Sequence, residues 1–270
     1  MDPGPLRDLL TAVLGLFTGA LSGAFGVGGA VISTPGIRAL GVPAVLAIGT
    51  TLPSILPSAV SGALRYHRER LIDREAVLLT VPVGFAASIV GAVLAEVLPG
   101  GGHPLMIATA CLLGFTAYRM AVAARAVEPP EPEASAVADA DEPARGRRSR
   151  GAFALVGGIA GGLSGLLGIG GGVVMVPGFH SIAGLSIKSS IATSLVCVAT
   201  FALPGTVTHA LLGNIDWRVA LFLTITVIPG ARIGATLTMR ADDRRLRLTV
   251  AAFLGVIAVL YAGGEVAALV

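Results

Sequence analysis

Charge is scarce in this chain. Only 13% of its 270 residues are Asp, Glu, Lys or Arg, against roughly 25% in an ordinary soluble domain. Hydrophobic residues make up 54%, and the mean hydropathy is +0.85. That balance excludes a soluble globular domain. No carboxylate falls in the middle of a long apolar run, which argues against a cation pump or a proton relay through Asp or Glu. Cysteine is nearly missing: Cys111 and Cys197 stand alone inside apolar runs, with no CxxC or Cys/His spacing, and read as buried free thiols. HExxH, GxSxG and metal-ligand clusters are missing too. The segments "GVGG" and "GIGGG" fit neither the dinucleotide fingerprint nor the Walker A spacing. Neither an enzyme nor a cofactor is expected. The nineteen basic residues are eighteen Arg and one Lys, gathered in short segments between apolar runs. They read as orientation signals, not as a nucleic-acid surface.

What the chain has is length in lipid-compatible sequence. Apolar runs lie near 6–36, 43–64, 76–98, 104–124, 152–187, 189–212, 217–239 and 246–263, each reaching the ~20 residues that cross a ~30 Å hydrocarbon core as helix. A transmembrane barrel would show shorter, alternating segments. The expectation is an all-α integral membrane protein.

The chain is also written twice. Leu21 to Gly36 ("LSGAFGVGGAVISTPG") lies over Leu163 to Gly178 ("LSGLLGIGGGVVMVPG") with nine identities in sixteen positions. After a one-residue insertion, Ala47–Leu52 lies over Ser190–Leu195, Gly62 over Gly205, Ile72-Asp73 over Ile215-Asp216, and Gly91-Ala92 over Gly234-Ala235. This recurrence also argues against reading the first run as a signal peptide, because the same text stands mid-chain. Residues 1–124 and 151–270 are therefore two membrane repeats. Between them, 125–150 is rich in proline and mixed charge without an aromatic, and reads as a disordered linker.

Arginine clusters at Arg65–Arg74, from Arg119 through Arg150, and at Arg240–Arg247; by the positive-inside tendency all three face the cytoplasm. Between the last two clusters three apolar runs must cross an even number of times, so one has to enter and return. The run at 152–187, about 35 residues long with "GIGGG" midway, is the candidate. Each repeat then holds a glycine-broken helical hairpin plus three transmembrane helices. Such a repeat crosses an odd number of times, so the second is inverted relative to the first, and both chain ends lie outside. Inverted-topology repeats are a recurrent plan of secondary transporters. A competing reading has the glycines serving only close helix packing.

Irregular backbone at membrane depth is tolerated where protein or a water-filled cavity satisfies it. At each turn the second half-helix starts with unpaired N–H groups and a partial positive charge, a cradle for a small anion. The candidate donors are the glycines Gly28, Gly29, Gly170, Gly171 and Gly172. The hydroxyls Ser22 and Ser164, one turn earlier, join them, as do Thr50, Thr51, Thr193 and Ser194, which helical rise places roughly 11 Å deep. Arg232, the one cation at depth, either attracts the anion or snorkels to the interface. Pro53, Pro57 and Pro204 free carbonyls or bend helices around the hairpins.

The motif "GxxSGxxGxGGG", present as "GALSGAFGVGGA" from Gly19 and "GGLSGLLGIGGG" from Gly161, with Pro35 and Pro177 following, resembles the sulfite exporter family TauE/SafE. The resemblance covers all but the linker. It implies a multi-pass carrier of the bacterial inner membrane for small sulfur-containing anions such as sulfite, thiosulfate or sulfonates, with alternating access around a midplane site. The expected partners are that anion and the lipid bilayer. A coupling ion and a homo-oligomer stay open, as does a non-transporting membrane scaffold. Ala30 stands where the second repeat has Gly172, so the two turns are not identical.

Overall fold

The computed structural model describes residues 4–97, 150–167 and 170–269, with individual residues between 111 and 122. Most of the 104–124 run and nearly all of the 125–150 linker lie outside the described residues. Nine helices are described: α1 (Pro5–Phe25), α2 (Ala30–Ala39), α3 (Ala44–Arg68), α4 (Arg74–Val97), α5 (Arg150–Leu167), α6 (Gly172–Ser181), α7 (Ile187–Leu211), α8 (Trp217–Arg240) and α9 (Asp243–Leu269). No strand occurs among the described residues. Five helices are long and apolar enough to cross a membrane: α1, α7, α8, and the parts of α3 and α4 at Leu46–Arg68 and Arg74–Gly91.

Local chemistry fixes the helix starts. Pro5 opens α1, where its missing N–H costs nothing. Asp216 caps α8, accepting from the amides of Arg218 and Val219 at 3.1 and 3.2 Å, and Asp73 caps α4 through the Ala76 amide at 2.9 Å. Ser186 caps α7. Large aliphatic side chains point outward, including Leu78, Ile89, Leu211, Leu221, Ile225 and Val259, whereas Thr18, Ser22, Thr50, Thr51, Ser58, Thr193 and Ser194 are buried. An apolar exterior around a hydroxyl-bearing interior is the arrangement lipid demands.

The repeats embrace reciprocally. α1 packs along α8, with Gly15 against Leu223, Gly19 against Val227 and Gly23 against Ala231. The equivalent α5 packs along α4, with Gly157 against Thr80 and Gly161 against Gly84. Residue numbers rise together in both pairs, so each runs parallel. α3 and its equivalent α7 meet at Gly62 against Leu195 and Gly205 against Leu52. There the numbers run oppositely, and the two helices are antiparallel. Each repeat thus completes its packing only with a helix of the other.

Both ends of each hairpin lie at one end of the bundle. Arg7 of α1 pairs with Asp216 at 3.3 Å, and Ile37, Val42 and Ala47, after the return, pack on Val219 and Leu223 of α8. In the second repeat Arg150 reaches Glu75 at 3.4 Å, and the Ser189 hydroxyl donates to the Leu71 carbonyl at 2.8 Å. The end holding Arg65, Arg74, Arg150 and Arg240 is rich in arginine; at the other, Arg7 pairs with Asp216 and Arg218 with Asp8.

The α4–α5 contact is close enough to test. A Cβ at Gly161 would overlap the Gly84 backbone, whereas one at Gly162 would find its nearest neighbour at 4.0 Å, the Ala87 carbonyl oxygen. Gly161→Ala is expected to lower stability by about 1–3 kcal/mol. Gly162→Ala is expected to be neutral or to gain up to about 1 kcal/mol of helix propensity. Thermal unfolding of the two purified variants in one detergent compares them, and equal melting temperatures would refute the close approach.

Candidate functional site

Four glycines turn the hairpins. Gly26 (φ 67°) ends α1, its amide donating to the Ser22 carbonyl at 2.8 Å, and Gly28 (φ 79°) redirects the chain into α2. Gly170 (φ 79°) and Gly171 (φ 67°) do the same before α6. These dihedrals exclude most side chains. The two turns meet: a Cβ at Gly172 would overlap the Gly26 carbonyl and lie 2.7 Å from the Val27 Cα.

A helix end at this depth leaves carbonyls on one side of the break and amides on the other. The carbonyls ending α1 are satisfied from other helices. Tyr66 Oη donates to Gly23 O, Thr238 Oγ1 to Ala24 O and Ser194 Oγ to Gly26 O, each at 2.9 Å. The amide ends of α2 and α6 start at Gly29 and Gly171, which carry no capping side chain. The helix N-termini at the turns are electropositive.

The hydroxyls expected at the site divide by role. Thr50 Oγ1 accepts from the Asp216 amide at 2.9 Å, and Thr193 Oγ1 accepts from the Asp73 amide at 3.1 Å. The bonds are a matched pair, each tying one repeat's long helix to the other repeat's connection. Thr51 Oγ1 lies 3.0 Å from Thr34 Oγ1 and donates to the Ile48 carbonyl. Ser194 is held by Gly26 O and by Ile191 O. Ser164 is buried on α5 behind Gly171. Arg232 is exposed on α8, and the structure does not bring it to the turns.

Ser22 differs from these: its Oγ is buried without a hydrogen-bond partner, and so are those of Thr18 and Ser58. The last two escape a motif search. Thr18 stands opposite Gly29, whose Cβ would lie 3.0 Å from Thr18 Cγ2. Ser22 follows one turn along the same face of α1. Ser58 belongs to the stripe of α3 that carries Thr51 and Gly62; Thr51 meets α2, and a Cβ at Gly62 would lie 3.6 Å from the Gly23 Cα of α1. Three orphaned hydroxyls thus flank the first hairpin. Each unsatisfied group costs on the order of 1–3 kcal/mol when nothing occupies the space beside it.

A signal in the sequence marks two of them, Thr18 and Ser58. Under the repeat alignment Thr18, Ser33, Thr34, Ser54 and Ser58 stand over Ala160, Met175, Val176, Cys197 and Phe201. At these positions the first repeat is polar and the second apolar or a thiol.

The family model described as sulfite exporter TauE/SafE matches residues 11–261. The chain belongs to the sulfite exporter TauE/SafE family. A TauE/SafE protein is a membrane transporter and not an enzyme, and this chain is a multi-pass membrane protein. It is 24% identical to the probable membrane transporter protein YunE of Bacillus subtilis, over 93% of this chain and 94% of that one. It is 25% identical to a probable membrane transporter protein of Haemophilus influenzae, over 93% and 96%. A shorter likeness, 37% over 28% of this chain and 13% of the other, links it to the probable membrane transporter protein MamO of Magnetospirillum gryphiswaldense. No solved structure matches the chain.

The two kinds of hydroxyl respond oppositely to removal. Thr50→Ala and Thr193→Ala are each expected to cost about 1 kcal/mol, since each strands a backbone amide. Ser58→Ala and Thr18→Val are expected to leave stability unchanged or raise it by up to about 1 kcal/mol. Thermal unfolding in detergent measures all four, and equal losses would show that Thr18 and Ser58 have partners.

Proposed function

We propose that this TauE/SafE protein carries small sulfur-containing monoanions, such as bisulfite or an organosulfonate, across the bacterial inner membrane. The site is the meeting point of the two glycine turns, and alternating access works by rocking one repeat against the other. The observation that carries this reading is that the N-termini of α2 and α6 come together at the two turns beside the orphaned hydroxyls of Thr18, Ser22 and Ser58. Hydrogen-bond donors with no acceptor, buried in an apolar bundle, suit an oxyanion that has left its water behind.

Charge magnitude narrows the guest. No Arg or Lys reaches the turns among the described residues, and each helix N-terminus contributes roughly half an elementary charge. Two such ends together balance about one negative charge. A dianion would be left half-neutralised in a medium of low dielectric, at a cost of several kcal/mol. The sulfur chemistry is taken from the family description, and the preference for a single charge from the residues.

The antiparallel course of α3 and α7 supports an inverted pair of repeats, with the basic end cytoplasmic by the positive-inside tendency and each hairpin entering from its own face. The exchange of partners between α1–α8 and α5–α4 supplies two similar units that rock about one centre.

Proteoliposomes of the full chain, loaded with unlabelled sulfite and presented with labelled sulfite, should show saturable exchange above empty vesicles. Methanesulfonate should compete, and sulfate should compete at least tenfold less well. The double variant S22A/S58A should lose about tenfold or more in exchange while melting at the wild-type temperature. Exchange no greater than in empty vesicles would refute transport; sulfate competing equally would refute the single-charge site.

A further inference from the structure

We propose that a basin at the basic end is a docking site where the transported oxyanion is gathered before it reaches the first glycine turn. The inference rests on the transport reading above. The basin holds about 390 Å³ and is bordered by Arg65 of α3, Glu69 at its C-cap, Lys188 of α7, and Thr236 and Arg240 of α8. Three cations from three helices thus face one carboxylate. Since a water takes up ≈ 30 Å³, the space admits a small oxyanion together with part of its hydration shell.

The charges are arranged for exchange. Arg65 is paired at 2.9 Å with Glu69, the C-cap residue of its helix, and Lys188 with Asp243 of α9 at 3.2 Å. Arg240 has no ion-pair partner among the described residues. Lys188 is the chain's single lysine and stands at the second position of α7, where the positive end of the helix repels a cation. A carboxylate neighbour offsets that repulsion, and an anion bound beside the same helix end would offset it further. Partly exposed pairs of this kind contribute little to stability and open readily.

Repeat symmetry provides an internal control. Under the repeat alignment Thr208 stands where Arg65 stands, Val45 where Lys188 stands, Val93 where Thr236 stands and Val97 where Arg240 stands. None of the three cations has a charged counterpart at the other end. A docking step built from these charges therefore acts on anions arriving from the basic side alone.

The test is sulfite exchange by the reconstituted full chain carrying Lys188→Gln and Arg240→Gln, measured separately from each face in oriented vesicles. From the basic face KM is expected to rise about fivefold to tenfold with kcat within twofold, and the wild-type dependence of KM on salt is expected to flatten. From the opposite face KM is expected to stay at the wild-type value. A rise of equal size from both faces, or none from either, overturns the docking site. Vesicles of phosphatidylcholine alone are compared with vesicles containing phosphatidylglycerol. An effect confined to the anionic vesicles overturns the proposal by assigning the basin to lipid headgroups. Wild-type protein without saturable exchange would overturn the transport reading and the docking site with it, whereas wild-type exchange with unchanged variant kinetics overturns the docking site alone.

Discussion

Backbone polar groups in a water-free medium must find partners, and this bundle is organised around the two places where a helix stops short of doing so. Breaking a helix inside hydrocarbon exposes carbonyls on one side of the break and amides on the other. The protein treats the two differently. Tyr66, Thr238 and Ser194 come from three other helices to close the carbonyls of α1, each from a distant point in the chain. The N-cap positions of α2 and α6 are glycines that supply no capping side chain, and Thr18, Ser22 and Ser58 add unpaired hydroxyls beside the first of them. A positive helix end beside unpaired hydroxyls is what turns a structural break into a potential ligand for negative charge.

Glycine performs two separate jobs here. At Gly15, Gly19, Gly23, Gly157 and Gly161 it lets backbones touch along the parallel pairs α1–α8 and α4–α5. At Gly26, Gly28, Gly170 and Gly171 it takes positive φ and makes the turns. Packing and turning are therefore successive along each hairpin: the first glycines seat α1 and α5 against the other repeat, and the next ones reverse the chain. The seating matters to the turns, because the position of Gly172 against Gly26 depends on how deeply both helices are docked.

Much of this was legible in one dimension. The repeated text around Leu21–Gly36 and Leu163–Gly178 reappears as reciprocal helix pairs, and the glycine runs reappear as breaks. Individual side chains were harder to read for a definite reason. Depth along a helix follows from counting residues, but the partner of a hydroxyl depends on rotation about the axis and on the other repeat. Counting places Thr50 and Thr193 deep, yet each accepts from the amide of a helix-capping aspartate at an end of the bundle, more than a hundred residues away. Arg232 is at depth as well, but on the outward face of α8. Thr18 and Ser58 lie outside the recurring motif, so similarity between the halves conceals them.

Difference between the halves reveals them, and this is the more general lesson of the duplicated chain. What the two repeats share is scaffold: the breaks at Gly28 and Gly170, the matched bonds of Thr50 and Thr193, and the antiparallel contact of Gly62 and Gly205 with Leu195 and Leu52. What they do not share is chemistry. Hydroxyls at Thr18, Thr34 and Ser58 oppose Ala160, Val176 and Phe201, and charges at Arg65 and Arg240 have apolar or neutral counterparts. The frame is common to both repeats, and the polar groups set on it are concentrated in the first.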